Sequence, residues 1–388
     1  MAGDRDRGSR KGPLLECRCV VAPGVARDAA DGRDQPPRLP TSRFALSARP
    51  VLALDLGGTQ VRAAVILPDG SRVARIATET PKAKGPDAVV DACVEALRMS
   101  RARAPRNLAG AIAGVGVSSP GPIDPWRGVI IEPPNLGPEF HDIPIAAPLE
   151  AALGLPTYLE RDTNVAALAE QSFGAARECP DFLYMTVSTG IGGAIVSGGQ
   201  LLYGPDATAG ELGHVPVNLD GPVCGCGGIA HLEAFAAGAG LARFAREAVE
   251  AGTSHFLAHR AAENGIDALG AHDVADGEDA GDAVCMALMG QARTAFSVAC
   301  AGYVNIFNPR LIVVGGTIAD KQGDRLLGPA RDYVARYSLK TPRRRVQIVP
   351  AELGADVSLA GAQPLVSMRL GEGQWRAGRA DVTAAVSA

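Results

Sequence analysis

The sequence predicts an α/β protein built twice over on one plan, with a cleft between its halves. Two observations carry this. Two blocks of the chain each open on an apolar run that ends in a glycine turn, Val51–Leu56 before Gly57-Gly58-Thr59 and Phe182–Ser188 before Thr189-Gly190. Each block then passes from short apolar runs to segments with helical spacing of apolar residues. Clefts between such halves are where small ligands bind.

Val51–Leu56, Val61–Leu67 and Val73–Thr78 read as three strands, the last two joined by the turn residues Pro68-Asp69-Gly70. Ala88–Met99 has helical spacing. Ala111–Val117 is a strand ending in Ser118-Ser119-Pro120-Gly121. A short helix over Ala146–Leu153, a strand over Thr157–Glu160 and a helix over Asn164–Phe173 complete the first block. In the second, Phe182–Ser188 pairs with Gly193–Ser197. Asp282–Phe307 is a long helix stopped by Asn308-Pro309, Leu311–Val314 is a strand ending in Gly315-Gly316, and Val346–Pro350 is a last strand.

Residues 1–50 read differently. They carry ten basic and six acidic residues, a net of +4 against −8 for the remainder, and prolines at 13, 23, 36, 37, 40 and 50 break any helical period. They are expected to be a disordered tail; a start codon assigned too far upstream would produce such a leader. Residues 376–388 are expected to be a flexible C-terminus.

The chain has 388 residues, 47% hydrophobic and 21% charged, which fits a globular chain of two domains and a tail. Its net charge of −4 argues against a uniformly basic nucleic-acid binder. Aromatic content of 4% is too low for a base-stacking platform. The eight cysteines follow no regular disulfide spacing, which points to free thiols in the cytoplasm and one metal cluster. No apolar run reaches about 18 residues, so no membrane span is expected.

Three strand-to-turn junctions have the chemistry to hold phosphates: Asp55-Leu56-Gly57-Gly58-Thr59, Ser188-Thr189-Gly190-Ile191-Gly192-Gly193 and Val314-Gly315-Gly316-Thr317. Glycines let backbone N–H groups approach phosphate oxygens, and Thr hydroxyls add donors. Each could instead be a plain tight hairpin, and none has the spacing of a P-loop or a dinucleotide turn. Asp55 could hold a phosphate-bound Mg2+.

His214, Cys224, Cys226 and His231 lie within 18 residues at the spacing His-x9-Cys-x-Cys-x4-His. Four such ligands predict a closed, structural zinc site, since zinc takes four Cys or His ligands tetrahedrally. Glu211 and Glu233 flank this cluster, and a metal-braced loop would aim both carboxylates at sugar hydroxyls. Asp162 follows a predicted strand and precedes a helix, where a carboxylate is often only a cap.

In order along the chain, Asp55-Leu56-Gly57-Gly58-Thr59, Ser119-Pro120-Gly121-Pro122, Pro134-Asn135-Leu136, Asp162-Thr163-Asn164, Thr189-Gly190-Ile191-Gly192-Gly193, Gly210-Glu211-Leu212-Gly213-His214, Cys224-Gly225-Cys226-Gly227, Leu232-Glu233 and Val314-Gly315-Gly316 resemble the ROK family of sugar kinases and sugar-responsive repressors. The likeness covers about residues 51–365. It implies a two-lobed actin-like ATPase (ribonuclease H-like) fold. The lobes would be residues 51–161, with about 353–375 packing back on them, and residues 162–352, which hold the zinc loop.

The resemblance also implies ATP-dependent phosphorylation of a hexose 6-hydroxyl in a glucokinase-type reaction, with Mg2+ and structural Zn2+. It implies a soluble homo-oligomer, dimeric or tetrameric, without nucleic-acid or membrane partners. Asp162 matches the general base; Asp55, Gly57, Gly58, Thr59, Thr189 and Gly190 match phosphate elements; Gly315 and Gly316 match the adenosine element. Asn135, Asp162, Glu211, His214 and Glu233 match sugar-contacting positions, and His214, Cys224 and Cys226 match zinc ligands. Fructose, mannose, N-acetylglucosamine or N-acetylmannosamine stand as alternative sugars, polyphosphate as an alternative donor, and a transcriptional regulator as an alternative role.

Two positions depart from the family pattern. His231 stands where a third Cys is usual. Arg161 stands where Asn is common, and it adds a fixed cation beside Asp162, which should lower that carboxyl's pKa.

Overall fold

Strand β1 (Val51–Leu56) is buried along its whole length. Successive side chains of a strand point to opposite faces, so a fully apolar strand needs cover on both. Leu52, Leu54 and Leu56 supply one face, and Val51 and Ala53 the other. This requirement organises the first half of the computed structural model, which describes residues 47–133 and 136–371.

β1 folds back as an antiparallel hairpin onto β2 (Gln60–Ile66), in register from Leu56 opposite Val61 to Val51 opposite Ile66. β3 (Arg72–Glu79) continues the sheet at its edge, where most of its side chains are at least partly exposed. After α1 (Pro86–Arg103) and the single turn α2 (Arg106–Ala109), β4 (Val115–Ser119) runs parallel to β1. A small antiparallel sheet of β5 (Ile123–Asp124), β6 (Val129–Ile130) and β7 (Ile143–Pro144) follows. Then α3 (Ala146–Leu153) leads to β8 (Thr157–Arg161), parallel to β4. The sheet order is β3-β2-β1-β4-β8. α1 and α3 cover the leucine face of β1 through Leu97 and Leu149.

Helix α4 (Asp162–Phe173) starts at the residue after β8. Beyond it lie β9 (Phe182–Val187), β10 (Ile191–Ser197) and β11 (Gln200–Leu201), a second antiparallel hairpin series. Five helices follow: α5 (Leu232–Ala236), α6 (Gly238–Glu250), α7 (His255–Asn264), α8 (Ala271–Asp279) and α9 (Ala283–Phe307). β12 (Leu311–Gly315) then pairs parallel to β9; after α10 (Thr317–Gln322) and α11 (Asp324–Tyr337), β13 (Gln347–Pro350) pairs parallel to β12. The order β11-β10-β9-β12-β13 repeats the first sheet's plan: third, second, first, fourth, fifth.

The two halves share their last layer. α12 (Val357–Ala360) and α13 (Ala362–Gly371) return to the first sheet, where Leu359, Ala362 and Val366 cover Val51 and Ala53. Leu365 and Met368 of α13 join Val165 and Leu168 of α4 against Phe182 and Tyr184 of the second sheet. The other face of that sheet packs Leu183, Met185 and Val187 against Phe296 of α9 and Leu326 of α11.

Several details differ from the sequence reading. β4 starts at Val115, because Ala113 first donates its N–H to Pro50 O at 2.9 Å. Helix α4 begins at Asp162, two residues early. Helices α5–α8 were not anticipated: α6 opens Gly-Ala-Gly, and α7 and α8 bury few apolar side chains. α9 has the length and composition of a membrane span, although no uninterrupted apolar run in it reaches about 18 residues. It packs as a core helix, with Cys285, Met289, Phe296, Cys300 and Tyr303 buried. The expected tail over 1–50 falls almost wholly, and the expected C-terminal segment 376–388 wholly, outside the described residues.

Leu359 is fully buried between α12 and β1. Leu359→Ala should therefore cost about 2–5 kcal/mol in urea unfolding. A loss well under about 1 kcal/mol would show that α12 is not part of the first sheet's core.

Candidate active site

A cleft of about 880 Å³ opens between the two sheets. Strand ends and the turns beside them supply much of its lining: Asp162 after β8, Ser188, Thr189 and Gly190 between β9 and β10, and Gly315, Gly316 and Thr317 after β12. Backbone groups and side chains gather at strand ends because the ladder stops there, which is why open α/β sheets bind ligands at that edge.

Three consecutive ionisable residues cross the junction of β8 and α4, and each goes a different way. Glu160 is fully buried. Its Oε1 accepts from the Arg161 N–H at 3.0 Å and from Asn164 Nδ2 at 2.9 Å; its Oε2 accepts from Tyr203 Oη at 2.7 Å and Arg369 Nη2 at 3.1 Å. Arg161 reaches across the cleft: Nη1 pairs with Glu211 Oε1, and Nη2 donates to Gly193 O at 3.1 Å and Ala209 O at 2.8 Å. Asp162 lines the cleft as the first residue of α4, its Oδ1 accepting from the Thr163 N–H at 2.7 Å.

Removal from water pushes the Asp162 carboxyl up to about 6; the Thr163 amide pulls it down, Asp55 raises it, Arg161 lowers it and Glu211 raises it. The sequence reading placed Arg161 as a force lowering this pKa. Its pull has that sign, but desolvation outweighs it and the net direction is upward. The guanidinium is also paired with Glu211, whose charge acts on Asp162 in the opposite sense.

Glu211, His214 and Glu233 line the same cleft. They sit on one looped segment closed by short bridges, Pro216 opposite His231 and Val223 opposite Ile229. The ligand atoms of His214, Cys224, Cys226 and His231 all lie within 4.8 Å of one another. His214 Nδ1 is 3.6 Å from Cys224 Sγ, and Cys226 Sγ is 3.2 Å from His231 Nδ1. Two imidazoles and two thiols at these separations could hold one four-coordinate metal ion. The His214 ring serves both regions, since its Nε2 faces Glu211 Oε2 at 3.9 Å. Glu233 ties the loop to the second sheet: its Oε2 accepts from the Ile191 N–H at 2.9 Å, and Cys224 Sγ lies 3.6 Å from its Oε1.

The glycine turns divide. Thr189, Gly190, Gly315 and Gly316 line the cleft. At Gly316, φ is +96° and a Cβ would lie 2.6 Å from Thr186 Oγ1, so only glycine fits that turn. Gly57, Gly58 and Thr59 form the β1–β2 hairpin, closed by the Gly57 N–H donating to Gln60 O at 2.9 Å, and are not among the lining residues. Asp55 also lies off the lining. Its Oδ2 accepts from Arg62 Nε at 2.9 Å and Nη2 at 2.6 Å, and Arg62 does line the cleft. Asn135 lies outside the described residues. Arg62 was missed in the sequence, yet the hairpin register that puts Leu56 opposite Val61 also puts Asp55 opposite Arg62.

The sequence profile of the ROK family matches residues 51–369, and the chain belongs to that family. A glucokinase of Thermotoga maritima is 32% identical over 83% of this chain and 98% of its own length. The crystal structure of a ROK hexokinase from Thermus thermophilus matches with a TM-score of 0.69 at 35% identity, covering 84% of this chain and 100% of that one. A ROK glucokinase from Streptomyces griseus, solved in complex with glucose and AMPPNP, matches with a TM-score of 0.66 at 28% identity over 81% of this chain and 98% of that one. The repeated sheet plan is accordingly the two-lobed actin-like ATPase fold.

A carboxyl whose folded pKa is raised weakens the fold as it ionises. For Asp162 the penalty grows between about 3.8, the ordinary value, and about 6, and is complete above that. Asp162→Asn should therefore raise Tm relative to the parent at about pH 8, and the gap should close towards pH 4. A gap that is absent at pH 8, or that widens on acidification, would contradict this assignment.

Proposed function

We propose that the chain is an ATP-dependent hexose kinase of glucokinase type, carrying the γ-phosphoryl group of ATP to the sugar 6-hydroxyl with Asp162 as general base. The observation that carries this reading is the position of Asp162. A desolvated carboxylate shares one cleft with the backbone turns at Thr189-Gly190 and Gly315-Gly316 and with the acceptors Glu211, His214 and Glu233. The turns suit a nucleotide's phosphates. The acceptors and the His214 ring suit a sugar's hydroxyls.

In the reaction the hydroxyl oxygen forms a bond to the γ-phosphorus as the bond to the β-bridging oxygen breaks and ADP leaves. The hydroxyl proton passes to the Asp162 carboxylate. A base with a pKa near 6 is ionised at neutral pH and still basic enough to take that proton. Little covalent work falls to the protein otherwise, so positioning and charge placement dominate.

Two ions belong to this reading. Asp55 Oδ2 takes both Arg62 donors, which leaves Oδ1 open to a phosphate-bound Mg2+ that would offset charge on the transferring group. The His214, Cys224, Cys226 and His231 set fits structural Zn2+, with His231 in place of a third thiol. Burial pushes the Cys224 thiol up to about 11, so zinc would have to displace its proton on binding. A cytoplasmic setting suits the unpaired cysteines found among the described residues. A dimer or tetramer remains part of the proposal on the family resemblance.

Asp162→Asn should lower kcat on glucose by about a hundredfold to ten-thousandfold with the sugar KM little changed, read by coupled detection of ADP. Near-normal turnover would remove the base assignment. The parent's kcat/KM should fall on acidification with a limb at about pH 6. Cys226→Ser should release about one zinc per chain and raise the sugar KM, since the loop that carries Glu211 and His214 loses its brace. Metal analysis finding no zinc in the parent protein would dispose of the cluster.

A further inference from the structure

Arg161 is almost entirely buried, 3% exposed, yet it lines the cleft. Its guanidinium spans three acceptors on separate stretches of chain: Glu211 Oε1, Gly193 O and Ala209 O. Nothing crowds it. A Cβ on Gly121 would stand 3.2 Å from its Cδ, and one on Gly210 would stand 3.2 Å from its Nη2. Its Nε is buried without a hydrogen-bond partner among the described residues. An orphaned donor of a charged group is costly in a folded protein. The Glu211 side chain is 43% exposed, so without this fork it would be a mobile surface carboxylate.

We propose that Arg161 is a specificity-determining residue of the sugar subsite, fixing Glu211 and making with it a paired station for one sugar hydroxyl. The inference deepens the hexose kinase reading and rests on it. A guanidinium only donates and a carboxylate only accepts. A hydroxyl that meets the pair must turn its lone pair to Arg161 and its proton to Glu211. A group that only accepts satisfies half of the station, and a missing oxygen satisfies none of it. An asparagine amide, which both donates and accepts, would impose no such direction. Lysine could not substitute, because a single ammonium cannot span three separated acceptors.

The test is steady-state kinetics of the parent, Arg161→Asn and Arg161→Lys on glucose, mannose, N-acetylglucosamine, N-acetylmannosamine and the monodeoxyglucoses, with calorimetric sugar binding measured in parallel. Arg161→Asn should raise the glucose KM and Kd about tenfold or more, as expected for losing a charged hydrogen bond. Its KM for ATP should change by less than about threefold. One deoxy position that is severely penalised in the parent should be much less so in the variant, and Arg161→Lys should not restore the parent's order. Glu211→Gln, at an exposed side chain, provides a variant with little risk to folding. It should weaken sugar binding comparably, and the Arg161→Asn/Glu211→Gln double variant should lose less than the sum of the two.

An unchanged rank order with KM and Kd within about twofold in both single variants would overturn the proposal, as would full additivity. If the parent binds sugar but turns none over, the kinase reading falls while the binding comparison still decides the role of Arg161. If the parent neither binds nor phosphorylates any sugar in the panel, both fall.

Discussion

The turn from β8 into α4 is the constraint on which the rest of the cleft depends. Alternation along a strand sends Glu160 and Arg161 to opposite sides, and the start of a helix presents Asp162 at its first turn. Three charges in a row would be untenable in a buried place without partners. Glu160 is matched by Arg369 and by three other donors, and Arg161 by Glu211 and two carbonyls. Among the described residues Asp162 receives only a local backbone N–H. The asymmetry matters: Glu160 and Arg161 are each held by several partners, while Asp162 keeps a carboxylate with unused capacity facing the cleft.

The same economy joins the loop that carries Glu211 and His214 to the His/Cys cluster. One edge of the His214 ring faces the thiols and the other faces Glu211. Glu233 bridges from the cluster's Cys224 to the N–H that opens β10. A change in the cluster is thus felt in the cleft through two short chains of side-chain contacts rather than through a long relay. Tyr303, near the C-terminal end of the core helix α9, donates to Leu212 O and anchors this loop from behind.

Legibility in the sequence followed distance along the chain. The four metal-type ligands fall within 18 residues, so their spacing alone brings them together. β1, β9 and β12 are mostly apolar runs that lead into glycine turns and could be read directly. Helices α6–α8 were not read: α6 carries Leu241, Ala245 and Ala248 on one buried face but opens on Gly-Ala-Gly, and α7 and α8 bury few large apolar side chains. The ordered motifs placed Asp162, but not its environment. Arg161 looked like a neighbour acting on Asp162, and only folding shows that Glu211, 50 residues away, occupies it. Burial, which sequence does not display, then reverses the net direction of the Asp162 shift. Arg62 was hidden for a different reason, since its partner in the hairpin is evident only once strand register is followed through the turn.

Both faces of β1 are largely apolar, and Leu359, Ala362 and Val366, some three hundred positions further along, help to close one of them. The first half of the molecule therefore emerges from the ribosome with one side of its central strand partly uncovered. Arg369, from the same late segment, supplies the buried cation that neutralises Glu160. A nascent chain would hold its opening sheet incomplete, and the turn from β8 into α4 carrying an unmatched charge, until translation has passed that segment. Competence is in this sense conferred at the close of synthesis, and a product cut short before α12 would carry every residue of the cleft up to Ala355 without the framework that sets them.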